Sequence, residues 1–159
     1  MRDNTGLDAM VSPLFTYVEK MWREDVAATV HPGMQVLDLG CGDGSLSRMI
    51  VDRGALAVGV DISPEKIERA REGARAAGQE EKTEFLVADA EALPFTDNSF
   101  DLVVAAHVLG HPFHFEDRLS EIMRVTKKKA VVVIPTLLNM CSWVEVGGGT
   151  YYRMNTRSF

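Results

Sequence analysis

Val36-Leu37-Asp38-Leu39-Gly40-Cys41-Gly42-Asp43-Gly44 is the stretch whose reading decides the fold. A short apolar run, Met34 to Leu39, enters a turn with glycine at every second position, and Leu46 to Arg53 leaves it as a helix closed by Gly54. Strand, glycine turn and helix make the first half of a βαβ unit. Glycine tolerates positive φ and lets a ligand approach the backbone. The helix start then offers free N–H groups to an anion. The same turn also serves as a tight connection with no ligand at all, so its surroundings must decide.

Upstream, Met1 to Val11 reads as a loose lead-in. Ser12-Pro13 pairs a hydroxyl N-cap with proline at the first helical position. Phe15, Val18, Met21, Trp22 and Val26 recur at helical spacing, which predicts a helix to about Thr29, ended by His31-Pro32-Gly33. Downstream, the chain alternates. Ala57 to Val60 is a strand ending at Asp61, and Ser63-Pro64-Glu65 starts a helix that stops at Gly78. Glu84 to Ala88 is a strand ending at Asp89, Asp101 to Ala106 a fourth, Glu116 to Val125 a helix, and Ala130 to Ile134 a fifth strand stopped by Pro135. Such alternation predicts an α/β fold, a doubly wound parallel sheet with helices on both faces. Leu102-Val103-Val104 and Val131-Val132-Val133-Ile134 are apolar at successive positions, as burial on both faces requires. The expected organisation is one domain over 1–159, with a helical lead-in or lid over 1–30, a core over 33–135 and a tail over 136–159.

A chain of 159 residues, 46% of them hydrophobic, can bury a real core without disulfides or a structural metal. Its net charge of −6 argues against nucleic acid, whose phosphates call for a basic stripe. Lys127-Lys128-Lys129 is the only basic run, and it reads as a helix C-terminus and a solvated turn. Two distant cysteines make no disulfide framework. The charged Met1 to Met10 is no signal peptide, and no apolar stretch reaches the roughly 20 residues of a membrane span. A cytoplasmic protein with no membrane partner is expected.

Ligands of open α/β sheets bind beyond the carboxyl ends of the strands. Asp61 ends the second strand, where a carboxylate can accept both hydroxyls of a ribose; it is otherwise an acid at a helix start. Ile62 can pack on an adenine face. Asp89 ends the third strand and can accept from an adenine amino group, or simply cap a turn.

In ordered combination these segments resemble the class I S-adenosylmethionine (SAM)-dependent methyltransferases, in the branch that acts on small molecules. Val36 to Gly44 is similar to that family's first motif and Val58-Gly59-Val60-Asp61-Ile62-Ser63 to its second. Ala88-Asp89-Ala90-Glu91-Ala92-Leu93-Pro94-Phe95 with Asp97-Asn98-Ser99-Phe100-Asp101 resembles the third region, and Val103 to Leu109 the segment that closes the pocket. The resemblance covers roughly Gly33 to Pro135. It implies a Rossmann-like sheet in the order 3-2-1-4-5 and SAM as cofactor, with S-adenosylhomocysteine (SAH) as product. It further implies that Asp38 and the backbone of Gly40 and Gly42 hold the methionine end. Asp61 would hold the ribose, Ile62 would pack on adenine, Asp89 and the N–H of Ala90 would read the adenine edge, and Ala106 would offer its carbonyl to the SAM amino group.

NAD or FAD is the rival cofactor, but that fingerprint needs glycine or alanine where this chain has Ser45, and Asp38 suits an ammonium better than a pyrophosphate. Methyl transfer from a sulfonium is an in-line displacement, so the protein chiefly aligns the acceptor and excludes water. His107, following the fourth strand, is the best-placed candidate for a catalytic base. His111 and His114 lie nearby, yet Pro112 breaks any shared helix face and the spacing is not that of a metal site, so no metal is expected. Neither Cys41 nor Cys141 reads as a nucleophile. Met21 and Trp22 read as packing residues and Tyr17 as a lid candidate.

Family members usually continue with a helix and two antiparallel strands. Leu137 to Phe159, with Gly147-Gly148-Gly149 and Tyr151-Tyr152, reads as lacking the two further strands, which suggests a truncated chain, a minimal version or one half of an assembly. The fifth strand would then be a sheet edge, to be covered by the tail or by a second copy in a homodimer. An enzyme acting on an unidentified small molecule and a non-catalytic SAM-binding module or partner subunit are both carried forward.

Overall fold

The computed structural model describes residues 19–106, 108, 115–134, 142–147 and 150–154. Ser12, Phe15, Tyr17, Val18, His107, Leu109, His111, Pro112, His114, Pro135 and Cys141 lie outside the described residues.

Five parallel strands form the centre: β1 (Gln35–Leu39), β2 (Leu56–Asp61), β3 (Thr83–Val87), β4 (Phe100–Ala106) and β5 (Thr126–Ile134). Their order is β3-β2-β1-β4-β5, as the resemblance implies. Helix α1 covers 19–27. Helices α2 (Ser45–Asp52), α3 (Pro64–Ala76) and α4 (Phe115–Val125) follow β1, β2 and β4.

Strand side chains alternate between the faces. Val36, Leu102, Val104 and Val131 join Trp22 and Val26 of α1 and Leu46, Ile50 and Val51 of α2 in one cluster. Leu37, Leu39, Val103, Ala105, Ala130 and Val132 join Ile122 and Val125 of α4 on the other side. This two-sided burial is what the continuous apolar runs require, and each buried aliphatic side chain contributes about 1.5–3 kcal/mol. Trp22 is a packing residue, as its helical spacing suggests. At α3 the Ser63 hydroxyl accepts from the Lys66 N–H and Pro64 stands at the first helical position, so this start is the one the sequence signals.

Two sequence expectations are corrected. Lys127-Lys128-Lys129 is not a turn, although Lys127 and Lys128 are exposed as expected: α4 runs directly into β5, whose first residue Thr126 pairs with Phe100. The long stems suit the end of a sheet, and Lys128 reaches the Asp101 carboxylate at 2.8 Å. The hydrogen bond from Lys128, followed by that from the Gln35 N–H, holds Asp101 below the ordinary carboxylate range.

The tail does form two further strands. β6 (Ser142–Gly147) runs antiparallel to β5, with Val132 opposite Val144, and β7 (Thr150–Met154) runs antiparallel to β6. The sheet thus has seven strands in the order β3-β2-β1-β4-β5-β6-β7, and the tail itself covers the outer edge of β5. The signal is the Gly148-Gly149 pair between Trp143-Val144-Glu145-Val146 and Thr150-Tyr151-Tyr152, an arrangement that favours a hairpin.

Candidate functional site

The carboxyl ends of β1, β2, β3 and β4 converge on one cleft of about 420 Å³. Its walls include Leu39 and Gly40 from β1 and its turn, Asp61 and Ile62 from β2, and Ala88, Asp89 and Ala90 after β3. Ala106 and Val108 close the β4 side, and Lys66 and Arg118 enter from α3 and α4.

The glycine turn is tied to β2. The N–H groups of Gly40 and Cys41 both donate to the Val60 carbonyl, at 2.7 and 3.0 Å. Gly40 has φ +76°, and a Cβ there would stand 2.7 Å from Val108 Cγ2 and 3.5 Å from the Ala106 oxygen. Only glycine therefore permits this close passage of β1's turn under the end of β4. Gly44, at φ +71°, rests on the Phe85 ring and Ala70.

At the start of α2 the Ser45 N–H is already taken. Asp43 Oδ1 accepts from the Ser45 N–H at 3.1 Å and its hydroxyl at 2.7 Å, so a carboxylate of the chain already sits there. Burial works against the Asp43 charge, yet the Ser45 bonds and Arg48 hold its pKa below the ordinary value. Asp38, Asp43 and Asp61 all act on the Cys41 thiol inside the turn. A pyrophosphate brought to this turn would meet like charge, whereas a cationic ligand would meet attraction.

Asp61 is 6% exposed. Its Oδ1 accepts from the Ser63 N–H at 2.9 Å and its Oδ2 from the Gly42 N–H at 3.1 Å. Lys66 Nζ lies 3.7 Å from Oδ2, an ion pair rather than a hydrogen bond. A carboxylate offers about four acceptor sites, so capacity remains for a ligand's hydroxyls. Ile62, 70% exposed, presents an apolar side chain at the wall. Asp89 Oδ1 accepts from the Glu91 N–H at 3.0 Å and its carbonyl from the Ala92 N–H at 3.1 Å, a turn that caps itself.

Of the residues singled out in the sequence, Gly40, Asp61, Ile62, Asp89, Ala90 and Ala106 line this one cleft. Gly42 stands behind it, donating to Asp61. Asp38 is not at the wall. Its side chain turns to the α2 face, is 3% exposed, and accepts from the Ser47 hydroxyl at 2.6 Å. Burial raises its pKa to about 6 against the lowering effect of that bond and of Arg23. Burial also pushes the Cys41 thiol far up, with Asp38 and Asp61 adding to the effect, so it is no nucleophile.

Lys66 and Arg118 escaped the sequence reading. Both reach the cleft from helices, and nothing beside a strand end marks them. Arg118 Nε and Nη2 donate to Glu91 Oε1 at 3.2 and 2.9 Å, and Nη1 donates to the Val108 carbonyl at 3.1 Å. Among the described residues no group of histidine, cysteine or acid side chains is arranged to hold a metal.

Residues 37–134 match the family model described as a methyltransferase domain, more than half of the chain. The chain is 41% identical over 99 residues to sterol 24-C-methyltransferase ERG6B of Gibberella zeae, covering 62% of this chain and 26% of that one. Among solved structures, a SAM-dependent methyltransferase from Methanosarcina mazei superposes with a TM-score of 0.62 at 31% identity, covering 68% of this chain and 55% of that one. The [4+2]-cyclase SpnF superposes with a TM-score of 0.67 at 29% identity, covering 71% and 43%. The chain spans about a quarter to a half of the length of the curated relatives it matches.

Proposed function

Because the chain belongs to the class I SAM-dependent methyltransferases, we propose that it transfers a methyl group from SAM to a small-molecule acceptor, with the cofactor in the cleft above β1–β4. The observation that carries this reading is the convergence of Gly40, Asp61, Ile62, Asp89 and Ala106 on one cleft beside a turn ringed by carboxylates.

The donor set fits SAM. Asp61 retains acceptor capacity for the ribose hydroxyls. Ile62 offers an apolar face to adenine, and Asp89 with Ala90 its polar edge. Ala106 offers a carbonyl to the ammonium, and Gly40 lines the same part of the cleft, where the methionine end would lie. Asp38, ionised above about pH 6, adds negative field from beneath the turn. When bound, SAM supplies an electrophilic methyl on a sulfonium, a leaving group that needs no activation. The task left to the chain is to align cofactor and acceptor and to keep water out. The turn's bonds to Val60 and Asp61 give it that rigidity. His107 follows Ala106 directly in the chain, which supports a role as base for acceptors that must lose a proton.

Incubation with methyl-labelled SAM and a panel of sterols, quinols, amines and carboxylic acids is expected to label one acceptor class and release SAH. Cofactor binding without labelled product across that panel would contradict the enzymatic reading.

A further inference from the structure

We propose that Arg118 is a positioning residue that sets two walls of the cofactor cleft at once, through Glu91 on one side and Val108 on the other. The inference rests on the cofactor reading above. Two N–H groups of the guanidinium converge on Glu91 Oε1, at 3.2 and 2.9 Å, while a third donates to the Val108 carbonyl at 3.1 Å. Glu91 is joined to the adenine side: its N–H donates to Asp89 Oδ1 at 3.0 Å. Val108 is joined to the methionine side: its Cγ2 fills the space where a Cβ on Gly40 would stand at 2.7 Å. β3 and β4 are not neighbours in the sheet, since β2 and β1 separate them. One side chain from α4 thus bridges the segments that follow two non-adjacent strands.

The geometry suits arginine in particular. Its planar fork serves a carboxylate and a carbonyl in different directions, which a lysine ammonium on a flexible stem cannot hold so well. The guanidinium is 20% exposed and Glu91 28%, so the pair is partly shielded from solvent. Arg124, farther along α4, makes a useful contrast. It bonds Phe95 O, Leu93 O, Asp97 and Glu121 and fastens the connection after β3 without being among the residues that line the cleft.

The test is calorimetric titration with SAH and with adenosine, alongside thermal unfolding of the unliganded chains. Arg118→Met is expected to weaken both ligands about tenfold, and Arg118→Lys to recover only part of the loss. Glu91→Gln is expected to weaken adenosine and SAH alike, and to cost little more once Arg118 is already methionine. Arg124→Met is expected to lower the unfolding temperature while leaving SAH affinity within about twofold of the parent. Should Arg118→Met unfold, Arg118→Lys and Glu91→Gln carry the same comparison. Parent-like SAH affinity in the folded Arg118 and Glu91 variants would overturn this inference alone. A parent chain that binds no SAH would overturn the cofactor reading and this inference with it.

Discussion

Asp61 illustrates how much one side chain can be asked to do. It closes β2, accepts the N–H groups of Gly42 and Ser63, and still faces the cleft. Asp61→Ala is expected to weaken SAH by roughly 1–3 kcal/mol, because it orphans two N–H donors and removes the acceptor of the ribose. Titration calorimetry checks this, and unchanged affinity would remove Asp61 from the site. Asp38 makes a different prediction. Burial raises its pKa from 3.8 to about 6, so the native state favours the protonated form. Its contribution to stability is full below pH 3.8 and is lost as the pH rises through 6, a change on the order of 3 kcal/mol. Asp38→Asn keeps an acceptor for Ser47 and fixes the neutral form. Denaturant unfolding should find the variant more stable than the parent at pH 8, with the advantage gone at pH 4. An equal difference at both pH values would contradict the account. Asp61, Asp89 and Gly40 were legible as lining residues because a parallel sheet delivers whatever follows each strand to the same rim, and Ala106 through the family resemblance. Arg118 and Lys66 were not, because their arrival depends on how α4 and α3 pack. The orientation of Asp38 was not legible, since strand alternation turns it toward Ser47 rather than the cleft wall.

The strand–turn–helix element around Gly40 works because its neighbours leave room for it. Phe85 of β3 lies across β2 and supports the turn, and a Cβ on Gly59 would stand 2.5 Å from its ring and 3.0 Å from the Cys41 sulfur. Gly59→Ala is therefore expected to destabilise the chain by about 1–3 kcal/mol through overpacking. It should also loosen SAH binding, since the displaced ring also supports Gly44. Urea unfolding checks the first outcome, and stability equal to the parent would mean that Phe85 moves aside at no cost. Most elements could be read from periodicity, because continuous apolar strands and capped helices signal themselves. The α4–β5 junction could not. Lysines look like a turn in a sequence, whereas here they open a strand and the exposed Lys128 ammonium reaches Asp101 at its edge. The β6–β7 pair was missed for a related reason. Three consecutive glycines suggest a loop, yet the residues flanking Gly148-Gly149 are rich in the aromatic and β-branched types that favour strands.

At the scale of the molecule, seven strands form one sheet whose parallel part carries the cleft and whose antiparallel part extends from β5. Asp38, Asp43 and Asp61 gather around the glycine turn, while Lys66 and Arg118 reach the cleft from the helices. Among the described residues no helix is long and apolar enough to cross a membrane. The central claim is that this rim grips an adenosyl amino acid rather than a dinucleotide. Titration of the chain with SAH and, separately, with NAD measures it most directly. Saturable binding of SAH at one site, with no heat from NAD, is the predicted result; binding of NAD with no response to SAH would contradict the account.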